Sequence, residues 1–199
     1  MRRLAFGGVV FGAAQIPPAQ VPRPHTLGPV ITRTCLCLIT RTAGDQREVL
    51  LGLKKTGFGA GKWVGLGGHI EAGEDPVMAA VREVAEESGL IVRPGDLAHM
   101  ATLAFRFPAR PSWDQTAEVY LTAAYQGEPA ESDEIAPRWY PVDALPLAGM
   151  WDDARYWLPR VLDGHPVVAE VTFADDLATV AGIEPSLAAA GPRVTGSLG

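Results

Sequence analysis

Three glutamates, Glu83, Glu86 and Glu87, fall within the stretch AAVREVAEESG, residues 79–89. On a helix that spacing crowds them onto one side just before the helix ends. Like charges three or four positions apart repel by roughly a few tenths of a kcal/mol per pair, and negative charge near a helix C-terminus also opposes the macrodipole. Taken alone, such a cluster is read as a solvated acidic face. It does not stand alone: Glu71, Glu74, Asp75, Glu83, Glu86 and Glu87 share residues 68–90 with a single Arg or Lys, Arg82. A hard divalent cation, Mg²⁺ or Mn²⁺, takes carboxylate oxygens and keeps coordination positions open for water and phosphate, which turns the repulsion into a ligand set.

The stretch just upstream says what such a cation would hold. KKTGFGAGKWVGLGG, residues 54–68, sets glycines at 57, 59, 61, 65, 67 and 68 among the lysines Lys54, Lys55 and Lys62. It is not a P-loop, because Trp63 follows Gly61 and Lys62 where Ser or Thr is needed, and its glycines do not fit the dinucleotide spacing. Its glycines allow close backbone approach to a phosphate chain, with Lys54 or Lys62 supplying local positive charge. The whole chain supplies none: 17 Lys and Arg against 23 Asp and Glu leave a net charge of −6. That balance disfavours stable binding to nucleic acid or to an anionic membrane, so a bound phosphate needs local positive charge.

The elements that must position these groups follow from the pattern. Asp75 is an N-cap with Pro76 in the first turn, Gly89 ends the helix, and Val77, Ala80, Val81 and Val84 form its apolar stripe. Helices are expected over 76–88 and 153–162, and strands over 30–39, 47–53, 100–107, 117–125, 137–141 and 166–173, a mixed α/β pattern without internal repeats. Composition, 47% hydrophobic and 20% charged over 199 residues, suits one globular domain with tails. Cys35 and Cys37 fall on one strand face as poor disulfide partners, which implies buried free thiols in a reducing, cytoplasmic setting. MRRLAFGGVVFGAA superficially copies a secretory signal, but the prolines that follow it favour a flexible leader over 1–28. The domain is expected over 29–184, with a disordered tail over 185–199.

GHIEAGEDPVMAAVREVAEESGL, residues 68–90, matches every fixed position of the Nudix box: Gly68, Glu74, Arg82, Glu83, Val84, Glu86, Glu87, Gly89 and Leu90. The chain therefore resembles the Nudix hydrolases. The resemblance implies an α/β/α sandwich with a mixed sheet, a divalent metal, usually Mg²⁺, and hydrolysis of nucleoside diphosphates linked to another group. It implies metal binding by Glu83, Glu86 and Glu87 with a backbone carbonyl at Gly67 or Gly68, and an orienting role for Arg82.

The likeness extends to LLGLKKTGFGAGKWVGLGG, GEPAESDE and MWDDARYW, which are similar to the animal enzymes that hydrolyse oxidised purine nucleoside triphosphates such as 8-oxo-dGTP. By that resemblance Glu134 helps the metal or the attacking water, Lys54 contacts the ligand, Phe58, Phe105 and Trp151 shape a base pocket, and Asp153 reads the base edge. Two positions depart from the pattern, Val64 in place of asparagine and Ala154 in place of a second aspartate, so base preference does not transfer with the phosphate chemistry. The expectation is a monomeric, Mg²⁺-dependent nucleotide pyrophosphohydrolase releasing a monophosphate and pyrophosphate in nucleotide-pool sanitation. The alternatives are a Nudix hydrolase for an unmodified dNTP or a nucleoside diphosphate derivative, and a non-catalytic nucleotide-sensing module.

Overall fold

The computed structural model describes residues 31–185. The leader expected over 1–28 lies outside them, as does the tail beyond its first residue, Pro185. Strands β1 (Thr32–Ala43) and β2 (Gln46–Lys54) form a hairpin through the Gly44–Asp45 turn, and β3 (Trp63–Val64) follows the glycine-rich loop. Next come α1 (Pro76–Ser88), β4 (Ala98–Arg106), β5 (Gln115–Thr122), β6 (Ile135–Pro141), α2 (Ala154–Leu162), β7 (Val167–Phe173) and β8 (Val180–Pro185).

All eight strands join one mixed sheet in the order β3-β2-β1-β5-β4-β7-β8, with β6 on the other edge of β2. β1 runs parallel to β5 and β4 parallel to β7, while the β1–β2, β2–β6, β4–β5 and β7–β8 pairs are antiparallel. Alternation along β1 divides the core. Cys35, Cys37 and Ile39 face one side, with Ala79, Ala80 and Val84 of α1, whereas Leu38 faces the other, with Trp157, Leu158 and Val161 of α2. The same division recurs on β5, where Val119 and Tyr120 belong to opposite layers. A helix on each face of a mixed sheet is the α/β/α sandwich that the resemblance implied. Fully burying an aliphatic chain such as Val84 or Leu158 contributes about 1.5–3 kcal/mol, so these stripes dock the helices.

α1 begins and ends as its sequence implies. The Asp75 carboxylate accepts the Val77 N–H at 2.9 Å, and Gly89 takes φ 70° while its N–H bonds the Ala85 carbonyl. Cys35 and Cys37 are buried free thiols, pushed up to about 11 and about 12 by desolvation. Two strands lack a sequence signal: β3 is two residues long, and β8 is an almost wholly exposed edge with no alternation to read. Among the described residues no helix is long and apolar enough to cross a membrane.

Candidate functional site

α1 presents its three glutamates to three different environments. The helix packs its last turns against the sheet, so Glu87 is carried inward to 3% exposure while Glu86 points to solvent and Glu83 is half-buried. The Glu87 Oε2 accepts the Gly67 N–H at 2.8 Å, and its Oε1 is buried with no hydrogen-bond partner. Desolvation pushes this carboxyl up to about 7, partly opposed by that backbone bond. Glu83 packs on Gly68: a β-carbon there would stand 2.5 Å from Glu83 Oε1 and push the carboxylate aside. Burial likewise raises the Glu83 carboxyl above its ordinary range.

The repulsion read from the sequence is bridged by the one cation in the stretch. Arg82 donates from Nε and Nη2 to the two Glu74 oxygens, each at 3.0 Å, and from Nη2 to the His69 carbonyl at 3.0 Å. Its Nη1 reaches Glu83 Oε1 at 2.8 Å and Glu86 Oε2 at 3.1 Å. These bonds hold Glu74 below the usual carboxylate range and the guanidinium well above its own. Of the two candidate carbonyls, Gly68 accepts the Cys35 N–H at 2.9 Å, which leaves Gly67 as the carbonyl without such a bond among the described residues. Gly67 must be glycine, since a β-carbon would collide with the Cys35 carbonyl oxygen.

No group of three or more His, Cys, Asp or Glu among the described residues is drawn together as a finished metal cage. The reason is visible: Arg82 holds Glu83 and Glu86, and Glu87 is turned onto Gly67. The donor set is all hard oxygen, and Glu87 Oε1 is an orphaned buried acceptor, so the residues fit a divalent cation.

A cavity of about 640 Å³ adjoins these groups on the α2 face of the sheet. Gly67, Gly68, Lys54 and Glu134 line one part of it, and the Lys54 ammonium stands 4.0 Å from the mostly exposed Glu134 carboxylate. The other part is aromatic. Phe58 stacks on Trp151 with ring centroids 5.0 Å apart and planes 17° apart, and Trp113 meets Phe58 edge-on at 5.0 Å. Gly57 and Gly59, at φ 69° and 83°, give the loop the turns that present Phe58 between them. Phe105 lines the same cavity from the core.

Asp153 lies in this aromatic part, 4% exposed, with its Oδ2 accepting the Trp157 Nε1–H at 2.7 Å. It precedes α2 but makes no capping bond, and burial pushes its carboxyl up to about 6. Val64 and Ala154 line the cavity too. Lys54 and Lys62, alternatives as the phosphate cation, separate here: Lys54 lines the carboxylate end, whereas Lys62 lies over the Trp151 ring at 5.0 Å and donates to the Met150 carbonyl at 3.4 Å.

Lys54, Phe58, Phe105, Glu134, Trp151 and Asp153 therefore border one cavity, with Glu83 and Glu87 directly behind its glycine wall. Sequence reasoning missed Phe107, Trp113, Trp157 and Phe173, which also line it. Only Trp157 carried a signal, four residues after Asp153 on the same helix face.

The family sequence model described as NUDIX domain matches residues 31–161. The chain is 41% identical over 135 residues to the oxidized purine nucleoside triphosphate hydrolase of Danio rerio, covering 62% of this chain and 84% of that relative. It is 39% identical over 134 residues to the protein of the same description in Mus musculus, covering 66% and 82%. Among solved structures, the MutT protein from Bacillus halodurans shares the fold at TM-score 0.62 and 20% identity, over 77% of this chain and 97% of that one.

Proposed function

The chain belongs to the NUDIX family and is a Nudix hydrolase, and from that premise we propose that it hydrolyses oxidised purine nucleoside triphosphates to the monophosphate and pyrophosphate. The observation that carries the reading is the single cavity that joins a carboxylate, lysine and glycine end to an aromatic end holding one buried carboxyl, Asp153. A phosphate chain fits the first and a base the second.

Within this reading Glu83, Glu86 and Glu87, with the Gly67 carbonyl, hold a divalent cation, Mg²⁺ or Mn²⁺. When bound, that ion neutralises the polyphosphate and lowers the pKa of bound water. Arg82, anchored on Glu74 and the His69 carbonyl, keeps the ligand carboxylates in place before loading and stays as their fixed countercharge. Lys54 contacts phosphate oxygens, and Glu134 beside it orients the attacking water and accepts its proton at a carboxylate oxygen. Phe58 and Trp151 flank the base, Phe105 forms its floor, and Asp153 accepts from base N–H groups. The protein acts as a cytoplasmic monomer on a small nucleotide, in nucleotide-pool sanitation that spares DNA repair.

Val64 and Ala154 support a second reading, in which unmodified dNTPs are also substrates, because each puts an apolar group where the base edge would otherwise find a polar partner. Pyrophosphate release from 8-oxo-dGTP, dGTP, dATP and dCTP, and monophosphate release from a nucleoside diphosphate derivative, each measured with Mg²⁺, test both. Turnover of 8-oxo-dGTP is expected, and binding without turnover of any of them would make the protein a nucleotide sensor.

A further inference from the structure

Trp151 and Asp153 border the aromatic end of the cavity, but Asp152 between them turns away from it. Its mostly buried carboxylate bonds two groups: Oδ2 accepts the Val180 N–H at 2.9 Å, and Oδ1 pairs with the Arg155 guanidinium at 2.6 Å. Val180 is the first residue of β8, in a hairpin that begins after residue 161, where the family match ends. The hairpin reaches the cavity at a second point. Phe173, the last residue of β7, lines it, stacks on Phe107 at 4.4 Å and 4°, and meets Trp151 edge-on at 6.0 Å.

The turn carrying the two base-facing side chains has few ties of its own. Met150 and Ala154 make short turn bonds to Leu147 and Trp151, and Asp153 is held by Trp157 four residues on. Two bonds tie the turn to distant segments: a long one from Lys62 Nζ to the Met150 carbonyl at 3.4 Å, and the shorter one from the Val180 N–H to Asp152 at 2.9 Å, which alone reaches the residue between Trp151 and Asp153. A buried carboxylate accepting a backbone N–H is a strong and directional link, and a loose turn would let the stacking ring and the acceptor drift relative to each other.

We propose that Asp152 is the positioning residue of the base site: its bond to Val180 docks the carboxy-terminal hairpin on the turn that presents Trp151 and Asp153, and so sets nucleotide affinity without touching the phosphate end. The inference rests on the reading of this cavity as the base site. Asp152 is a positioning residue and takes no part in the chemistry.

The test is a double-mutant cycle between Asp152→Ala and Val180→Pro, the latter removing the N–H donor at a strand's first residue, where proline is tolerated. Affinity is read by tryptophan-fluorescence titration with 8-oxo-dGMP, which needs no turnover, alongside kcat and KM for 8-oxo-dGTP. Each single variant should weaken binding and raise KM about tenfold with kcat within about twofold, and the double variant should be no worse than either single. Asp152→Asn, which keeps the acceptor, should stay within about threefold of the parent, and Arg155→Gln within about twofold. Additive effects in the double variant, an Asp152→Asn as weak as Asp152→Ala, or kcat and Tm falling together with affinity would each overturn the proposal. Should Asp152→Ala fail to fold, the contrast between Val180→Pro and Asp152→Asn decides the matter alone. A parent that binds 8-oxo-dGMP without hydrolysing the triphosphate would refute the enzymatic reading and leave the cycle interpretable.

Discussion

The two ends of the cavity are built by opposite means. At the carboxylate end, Glu74, Arg82, Glu83, Glu86 and Glu87 lie within fourteen positions, and charge organises them: one guanidinium contacts three carboxylates. At the aromatic end, Phe58, Phe105, Trp113, Trp151 and Phe173 come from separate segments, and ring packing brings them together around one buried carboxyl. A site made by close-range charge tolerates little chemical change, because three of its four carboxylates answer to the same cation. A site made by apolar packing tolerates more, since stacking and shape discriminate weakly compared with buried hydrogen bonds. The chemistry should thus be brittle and the base preference pliable.

The largest break in this comparison lies at the carboxylate end. Glu86→Gln or Glu87→Gln should lower kcat by about a hundredfold or more while Tm holds or rises, since shape is kept and an unfavourable charge removed. Near-normal turnover in both variants would mean that these carboxylates do not hold the metal.

Base preference should move next. The parent is expected to hydrolyse 8-oxo-dGTP together with other nucleoside triphosphates, and Val64→Asn plus Ala154→Asp should narrow that profile by about ten- to a hundredfold in kcat/KM ratios. Ala154 is 3% exposed, so the added carboxyl should also lower Tm without nucleotide. A parent already selective for 8-oxo-dGTP by several orders of magnitude would show that other groups read the base.

Asp153 separates the two ends by pH. Its carboxyl titrates at about 6 in the fold against 3.8 ordinarily, because burial disfavours the charge. A raised acid binds its proton more tightly when folded, so its contribution is fully present below about pH 4 and is lost as pH rises toward about 6. Asp153→Asn removes that loss, and the Tm difference, variant minus parent, should grow across this window in thermal melts. A constant difference would contradict the assignment.

The smallest effect tests the ligand set. Millimolar Mg²⁺ should raise the parent's Tm by a few degrees, about what a ligand confined to the folded state contributes. The shift should vanish in Glu83→Gln combined with Glu86→Gln. An equal shift in that variant would place the ion elsewhere.

Which parts of this were legible in the chain follows from the range of the contacts. The α1 caps, its apolar stripe and the spacing of its carboxylates are local, and a helix of known period converts spacing into position without further information. Strand alternation likewise implied two faces, and Cys35 and Cys37 share one as that alternation requires. The short β3 and the exposed β8 were not legible, since two residues carry no period and an edge strand facing solvent carries no apolar one.

The inward turn of Glu87 was decided by tertiary structure, because the docking of α1 against the sheet buries one carboxylate that the helical period treats like its neighbours. So was the assembly of the aromatic end. Phe107, Trp113 and Phe173 reach the cavity only because β4 lies between β5 and β7, and Val180 meets Asp152 only because β8 closes against β7. The sequence by itself determined the spacing of the carboxylates and the family, through a period that one helix turns into geometry. The order of strands, a property of long-range hydrogen bonding and shared burial, decided what lines the aromatic end of the cavity.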